Sequence, residues 1–318
     1  MAEPQKVYDL AIIGGGPAAL SAAIYTTRED LSTVILEKGI PGGMIAVTDK
    51  VDNYPGFPDG VEGMKLADDL RQQAERFGTE IRPTEVTNIA SEDGCTRLVT
   101  VDGDVVAKAV LIATGTEYKK LGIPGEEEFY ARGVHYCATC DGAFYRDKRL
   151  VVVGGGNSAV QEALFLTRFA SHIDLLVRSK LRASDVLQRE LDKQVAAGSI
   201  TVHLQTTTDR IEGEDGKVTT VQGTNTQSGE RVSLSTDGVF VFIGLSPNTA
   251  FLRQVKQLQF DDVGFVVTDA GLQTAMPGVF AAGDVRSGAT MQIATAVGEG
   301  ATAALKIREY LESQQHGV

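Results

Sequence analysis

The chain has 318 residues, enough for two domains of ordinary size, with 35 glycines and an ordinary apolar fraction. Its formal charge of −12 argues against nonspecific nucleic-acid binding, which needs clustered Lys and Arg. No apolar run approaches the roughly 18 residues of a membrane-spanning helix. The first residues, Met1 to Lys6, lack the basic and apolar segments of a secretory leader, so the expectation is a cytoplasmic protein.

In chain order, residues 8–13 form an apolar run that predicts a buried strand. Residues 14–19 predict a tight turn, residues 18–28 a helix with one small-residue face, and Thr33–Glu37 the next strand, which together make one βαβ unit. Cys95, after Ser-Glu-Asp-Gly, reads as a turn, and residues 115–129, with Pro124-Gly125 and three consecutive Glu, as a connector. The βαβ grammar then recurs, with a strand at 150–153, a turn at 154–159, a helix at 160–169 and a strand at 173–177. A second connector is expected at 244–248. The apolar stretch ending in Gly283-Asp284 lies beside an expected nucleotide, and a last helix, at 293–311, is rich in Ala and Gly on one face. The fold class that follows is α/β, with two Rossmann-like dinucleotide-binding domains, the second inserted into the first. The expected boundaries are 1–116, 117–245 and 246–318.

The two glycine fingerprints carry most of the chemistry. In the first, Gly14 allows the tight turn, Gly16 lets backbone approach a pyrophosphate and Ala19 allows close helix–strand packing, while the helix N-terminus offers N–H groups to phosphate. Glu37, 21 residues after Gly16, ends the second strand where a carboxylate accepts hydrogen bonds from a ribose diol. The bland alternative is a glycine turn in an unrelated α/β fold. Gly14 to Glu37 is 23 positions, and in the second fingerprint the same 23 from Gly154 fall on Val177, so the acid is missing, and Arg178 and Arg182 follow. Guanidiniums in place of a carboxylate favour a 2′-phosphate, hence NADP(H) over NAD(H). Solvated surface arginines are the competing reading.

Between the fingerprints lies Cys137-Ala-Thr-Cys140. Two thiols at this spacing can close into a small disulfide and reopen, which stores two electrons. A zinc reading needs further ligands; Cys95 is distant in sequence, and His135 does not stand at a standard ligand spacing. An inert pair of buried thiols is the other alternative. Asp141 adjoins Cys140 and reads either as the proton donor or acceptor of thiolate chemistry or as a turn-forming Asp before Gly142.

These residues, with Asn53-Tyr-Pro-Gly-Phe57, Ala113-Thr-Gly115, Gly154-Gly-Gly-Asn-Ser-Ala159 and the 278–284 segment, resemble the low-molecular-weight thioredoxin reductases over nearly the whole chain. The resemblance implies FAD in the first domain, NADPH in the inserted one, a homodimer, and thioredoxin as the protein substrate. It implies FAD contacts from Gly14, Gly16, Pro17, Ala18, Glu37, Gly42, Gly43, Asn53, Ala113, Thr114, Gly115, Gly283, Asp284, Gln292 and Ile293. It implies NADPH contacts from Gly154, Gly156, Asn157, Ser158, Arg178 and Arg182. By position, Cys140 is then the thiol nearest the flavin, Cys137 the one that attacks the substrate, and Asp141 the general acid. Members of the family rotate one domain against the other, and the two connectors are where that hinge is expected.

The chain departs from the family at three places. Met44 stands where Gln is usual, Met291 where many members have Arg, and Ser179 where a second arginine of the NADPH segment is expected, with Lys180 beside it. The alternatives to an NADPH-dependent reductase are a same-fold disulfide reductase fed by another donor such as ferredoxin, a dithiol oxidase passing electrons to oxygen, and a non-catalytic redox-sensing flavoprotein.

Overall fold

The computed structural model describes residues 6–48, 50–51 and 53–316. Residues 1–5, on which the reading of an absent leader rests, lie outside them. The chain forms two compact units, one of residues up to Glu117 together with those from Ser246, the other Tyr118–Leu245. Among the described residues no helix is long and apolar enough to cross a membrane.

The first unit is built on a seven-stranded sheet of described residues. Val7–Ile13 lies between Thr33–Glu37 and Val105–Ile112, parallel to both. Its residues feed two cores. Leu10 and Ile12 pack with Ala19, Ala23, Ala303 and Ile307, whereas Tyr8, Ala11 and Ile13 pack with Leu98 and Val105. Both faces are covered, which is why residues 10–13 are apolar without alternation. The strand Val279–Ala281 joins the sheet parallel to Val105–Ile112, so residues after 246 complete the unit. The last helix, Ile293–His316, docks on the first, Pro17–Thr27. Gly300 makes the docking possible, because a Cβ there would collide with the Ala18 carbonyl.

The second unit has a parallel sheet ordered Val134–His135, Gly238–Val241, Arg149–Val153, His172–Val177, Ile200–Leu204. A three-stranded antiparallel sheet, Thr206–Glu214, Lys217–Asn225 and Arg231–Ser235, adjoins it in sequence. The two βαβ units share a register: Ile13 lies opposite Leu36, and Val153 opposite Leu176.

Several boundaries differ from those read in the sequence. The turns end at Gly16 and Gly156, not at residues 19 and 159; the helices are Pro17–Thr27 and Asn157–Leu166. Pro17 suits a first helical position, where its missing N–H is not needed. Asn157 and Ser158 favour turns locally but here fill the first turn after an extended Gly156. Cys95 opens the strand Cys95–Thr100; the turn is formed by Asp93 and Gly94 before it, both at positive φ. The connectors are not structureless either, since they contain the short strands Thr116–Tyr118 and Leu245–Pro247.

Candidate active site

In the first unit the fingerprint lies at the carboxyl ends of Val7–Ile13 and Val105–Ile112, the crevice where parallel α/β sheets bind ligands. Gly14 has φ +99°, and a Cβ on it would meet the Ala113 carbonyl oxygen at 2.5 Å, so only glycine fits. Gly16 faces open space, with nothing within 4 Å of a Cβ position. The helix that follows has no side-chain cap and no acid in its first turn, so its N-terminus is left for an anion. Glu37 is held by two backbone donors: the Gly15 N–H on Oε2, and the Gly39 N–H on Oε1 at 2.6 Å. Each oxygen retains lone-pair capacity for a hydroxyl. Gly42 donates to the Gly15 carbonyl at 2.7 Å, and Gly43 lies against Gly16.

Residues remote in sequence close on the same unit. The Asn53 amide donates to Gln292 Oε1 at 3.1 Å, and Gln292 stands immediately before the Ile293–His316 helix. Thr114 and Asn248 exchange two hydrogen bonds, from Thr114 Oγ1 to the Asn248 carbonyl at 2.9 Å and from Asn248 Nδ2 to the Thr114 carbonyl at 3.0 Å. The Asn248 N–H also donates to the Gly115 carbonyl. Gly283 N–H donates to Glu299 Oε2 at 2.8 Å, and Glu299 pairs with Arg286 at 2.6 Å. Asp284 is the exception, since its carboxyl has no hydrogen-bond partner among the described residues. Burial, and then the neighbouring Glu299 charge, push its pKa up to about 6. A half-buried carboxyl without a donor, together with the open Gly16 cradle, fits a nucleotide that brings hydroxyl and phosphate groups.

The second fingerprint repeats the geometry with one change. A Cβ on Gly154 would collide with the Phe242 carbonyl, as one on Gly14 would with Ala113, and Gly156, like Gly16, faces open space. The side chain under Gly155 is Val177, where Glu37 lies under Gly15. Val177 is 2% exposed and offers nothing to a hydroxyl. The segment after it is tied to the fingerprint: Arg182 N–H donates to the Gly155 carbonyl at 2.7 Å, and Ser184 N–H to Asn157 Oδ1 at 2.8 Å. Arg178, Ser179, Lys180 and Arg182 are all exposed. None of the three cations has an ion-pair partner among the described residues. The retained cradle fits a second nucleotide, and the free cations fit an anionic group on its ribose.

Cys137 and Cys140 are joined by a disulfide, and both are partly exposed. Cys137 caps the short helix Ala138–Asp141, and the Cys140 N–H points at its sulfur at 3.2 Å. A donor there favours a thiolate when the bond opens. Cys95, the remaining cysteine, belongs to the other unit. No cluster of metal-ligating side chains occurs among the described residues. The segment preceding Cys137 is fixed from two sides. Tyr136 donates to Glu126 Oε1 at 2.8 Å and stacks on Tyr118. His135 stacks on Phe240, donates to or accepts from the Tyr145 hydroxyl at 2.7 Å, and has Nδ1 3.3 Å from Asp141 Oδ2.

Glu126 is a correction to the reading of residues 115–129 as a plain connector. It is 1% exposed and also accepts the N–H groups of Leu121 and Gly122 at 2.8 and 2.7 Å. Glu126→Ala orphans three donors. It is expected to destabilise the second unit by about 3 kcal/mol or more, with Glu126→Gln milder, as read from thermal melting.

The model of the pyridine nucleotide-disulphide oxidoreductase family matches residues 8–300. The thioredoxin reductase of Bacillus subtilis is 42% identical over 315 residues, 98% of this chain and 97% of that one. That of Listeria monocytogenes is 41% identical over 314 residues, 98% and 96%. The crystal structure of thioredoxin reductase from Streptococcus pyogenes matches with a TM-score of 0.90 at 41% identity, covering 98% of this chain and 100% of that one. The chain belongs to the thioredoxin reductases. It is thus a flavoprotein disulfide reductase of the α/β, two-unit type expected from its sequence.

Within this thioredoxin reductase, the departures noted in the sequence fall at visible places. Met44 is exposed in the turn Gly43–Val47, and Met291 adopts φ +57° just before Gln292. Ser179 is exposed, and its carbonyl accepts the Gln205 N–H at 3.1 Å. Sequence reasoning missed Glu126, Asn248 and Glu299 as anchors and gave His135 only a discarded metal role. The one signal for His135 was its place two residues before the reactive pair.

Proposed function

We propose that this thioredoxin reductase passes two electrons from NADPH, by way of FAD, through the Cys137–Cys140 disulfide to thioredoxin. In this reading it acts as a cytoplasmic homodimer with no nucleic-acid or membrane partner. The observation that carries the proposal is the partly exposed disulfide, with a backbone donor on one sulfur and Asp141 next in sequence to the other cysteine. Bound FAD and NADPH supply the electrons that open this disulfide. The first unit would hold FAD, through Gly14, Gly16, Pro17, Ala18 and the Gly42–Gly43 turn around the phosphates. Glu37 would take a ribose diol, Asp284 a hydroxyl, and Asn53, Ala113, Thr114, Gly115, Gly283, Gln292 and Ile293 the remaining wall. The second would hold NADPH, through Gly154, Gly156, Asn157 and Ser158, with Arg178 and Arg182 on the 2′-phosphate.

The opened pair then acts on thioredoxin. Cys137, its thiolate favoured by the Cys140 N–H, attacks one sulfur of the substrate disulfide. Asp141 moves protons between the cysteine thiols and the leaving sulfur. Cys140 attacks Cys137, which closes the enzyme disulfide and releases the second substrate sulfur.

The test is anaerobic titration of the yellow protein with NADPH and then NADH, followed at the flavin absorbance. Bleaching at micromolar NADPH is expected; none at millimolar NADPH would point to another donor, as Ser179 leaves open. The arginines give a separate measurement. Arg178→Ala with Arg182→Ala is expected to raise KM for NADPH by about ten- to a hundredfold per lost charge-assisted contact, and to leave that for NADH within about twofold.

A further inference from the structure

We propose that Ser179 determines nucleotide specificity in the second unit: its N–H and hydroxyl, with the Gly155 N–H, form an uncharged anion pocket for the 2′-phosphate, at the place that the Glu37 carboxylate takes in the first unit. The proposal rests on the second unit holding NADPH, and it adds neutral donors to the two arginines assigned above.

The two fingerprints are congruent beyond their glycines. Gly14 N–H donates to the Leu36 carbonyl at 2.9 Å, and Gly154 N–H to that of Leu176 at 3.0 Å. Ala113 N–H donates to the Ile13 carbonyl at 2.9 Å, and Phe242 N–H to that of Val153 at 2.8 Å. Gly16 and Gly156 are both extended, with ψ −175° and −177°. The segments after the second strands match as well. Residues 38–39 and 178–179 both bend. Gly42, five residues after Glu37, donates its N–H to the Gly15 carbonyl; Arg182, five after Val177, donates its N–H to the Gly155 carbonyl, both at 2.7 Å. Gly39 of the first unit therefore corresponds to Ser179 of the second.

What differs is the acceptor that two backbone donors find. In the first unit the Gly15 and Gly39 N–H groups both donate to the Glu37 carboxylate. Their counterparts, the Gly155 and Ser179 N–H groups, have no acceptor among the described residues. Val177 supplies none. Its Cγ1 stands 2.6 Å from a Cβ built on Gly155, much as the Glu37 Cγ stands 3.0 Å from one built on Gly15, and valine ends there. The exchange of glutamate for valine thus removes a carboxylate and frees two donors aimed at its place, an arrangement that suits an anionic oxygen. Ser179 adds a third donor. A Cβ on Gly39 would lie 3.3 Å from Glu37 Oε1, so the Ser179 side chain, at the corresponding position, starts beside that place. Its carbonyl is tied to the Gln205 N–H at 3.1 Å, which fixes the residue from the other side, and its side chain is exposed to a ligand. A carboxylate accepts from a ribose hydroxyl; amides and a hydroxyl donate to a phosphate, which brings acceptor oxygens and negative charge. The first unit thus selects a diol and the second a phosphate ester. Ser179 is a different kind of contact in place of the expected arginine, not merely a lost one.

The experiment is calorimetric titration of the flavin-containing full chain with adenosine 2′,5′-bisphosphate and with 5′-AMP, repeated by NMR on protein labelled with 15N-glycine and 15N-serine. The bisphosphate is expected to bind about a hundredfold more tightly than 5′-AMP and to move the Gly155 and Ser179 amide protons downfield, which 5′-AMP does not. Ser179→Ala keeps the N–H and loses the hydroxyl. It is expected to weaken the bisphosphate by about tenfold and 5′-AMP by less than about twofold. Val177→Glu returns a carboxylate to the place beneath Gly155, where it takes up both amides and repels phosphate, and is expected to weaken the bisphosphate by about a hundredfold. Val177 is buried, so the fold of that variant is checked by circular dichroism; if it fails to fold, Ser179→Ala and the amide shifts still decide. Tight bisphosphate binding with both amides unmoved and Ser179→Ala equal to the parent would overturn this proposal and leave the NADPH reading standing. A bisphosphate bound no better than 5′-AMP would sink both.

Discussion

Cys137→Ser and Cys140→Ser are each expected to lower thioredoxin reduction by about three orders of magnitude or more, and the double replacement to lower it no further. A serine hydroxyl cannot exchange with a disulfide, and the two sulfurs work as one two-electron unit, so losing either removes the function of both. The fold should survive. The segment before Cys137 is anchored by Tyr136 on Glu126 and by His135 on Phe240, and the disulfide closes a loop with a sequence separation of only 3. So short a loop restricts the unfolded chain little. Bleaching of the flavin by NADPH should therefore persist in all three variants. Steady-state kcat and the anaerobic titration check both halves. More than a few per cent of turnover in either single variant would show that electrons leave by another route.

The contrast between the two nucleotide sites was legible because it is local. Strand, glycine turn, helix and strand lie within 31 residues in the first unit and 29 in the second, so equal spacing in sequence becomes equal register in space, and Glu37 and Val177 take corresponding places under Gly15 and Gly155. Backbone demands at Gly14 and Gly154 are legible for the same reason: they bear on the chain itself rather than on a distant partner. Glu126 was not, because three consecutive glutamates ordinarily form a solvated face. Its burial depends on Tyr136 and on two N–H groups that a turn folds toward it. Asn248 meets Thr114 across 134 residues of sequence, a distance over which no spacing rule operates. The helix start at Asn157 was misread because turn propensity is a local preference, overridden here by the fingerprint that places Gly156 extended. His135 shows the same limit in the site. Its surroundings are Tyr145 and Phe240, and only the second unit's sheet brings Phe240 beside it.

Asp284→Asn is expected to stabilise the flavin-free protein and to weaken flavin binding. In the folded chain the Asp284 carboxyl is harder to ionise than in the unfolded one, with a pKa of about 6 against an ordinary 3.8, chiefly through burial. Ionisation therefore opposes folding. The penalty is absent below the unfolded value, grows as pH rises from there to about 6, and is complete above. A gap of this size corresponds to about 3 kcal/mol. Asparagine cannot ionise, so the variant without flavin should melt higher than the parent at pH 8, while the gain should vanish toward pH 4. Glu299 stays paired with Arg286 in both, which confines the difference to position 284. With FAD the order reverses. In the proposed complex a ligand hydroxyl would donate to the carboxylate and compensate its burial, and an amide would accept that bond more weakly, so the affinity should fall by about ten- to a hundredfold. Melting temperatures of the flavin-free protein at the two pH values, together with FAD binding by fluorescence, test both signs. A lower melting temperature for flavin-free Asp284→Asn at pH 8 would mean that the carboxylate already has a compensating partner within the chain.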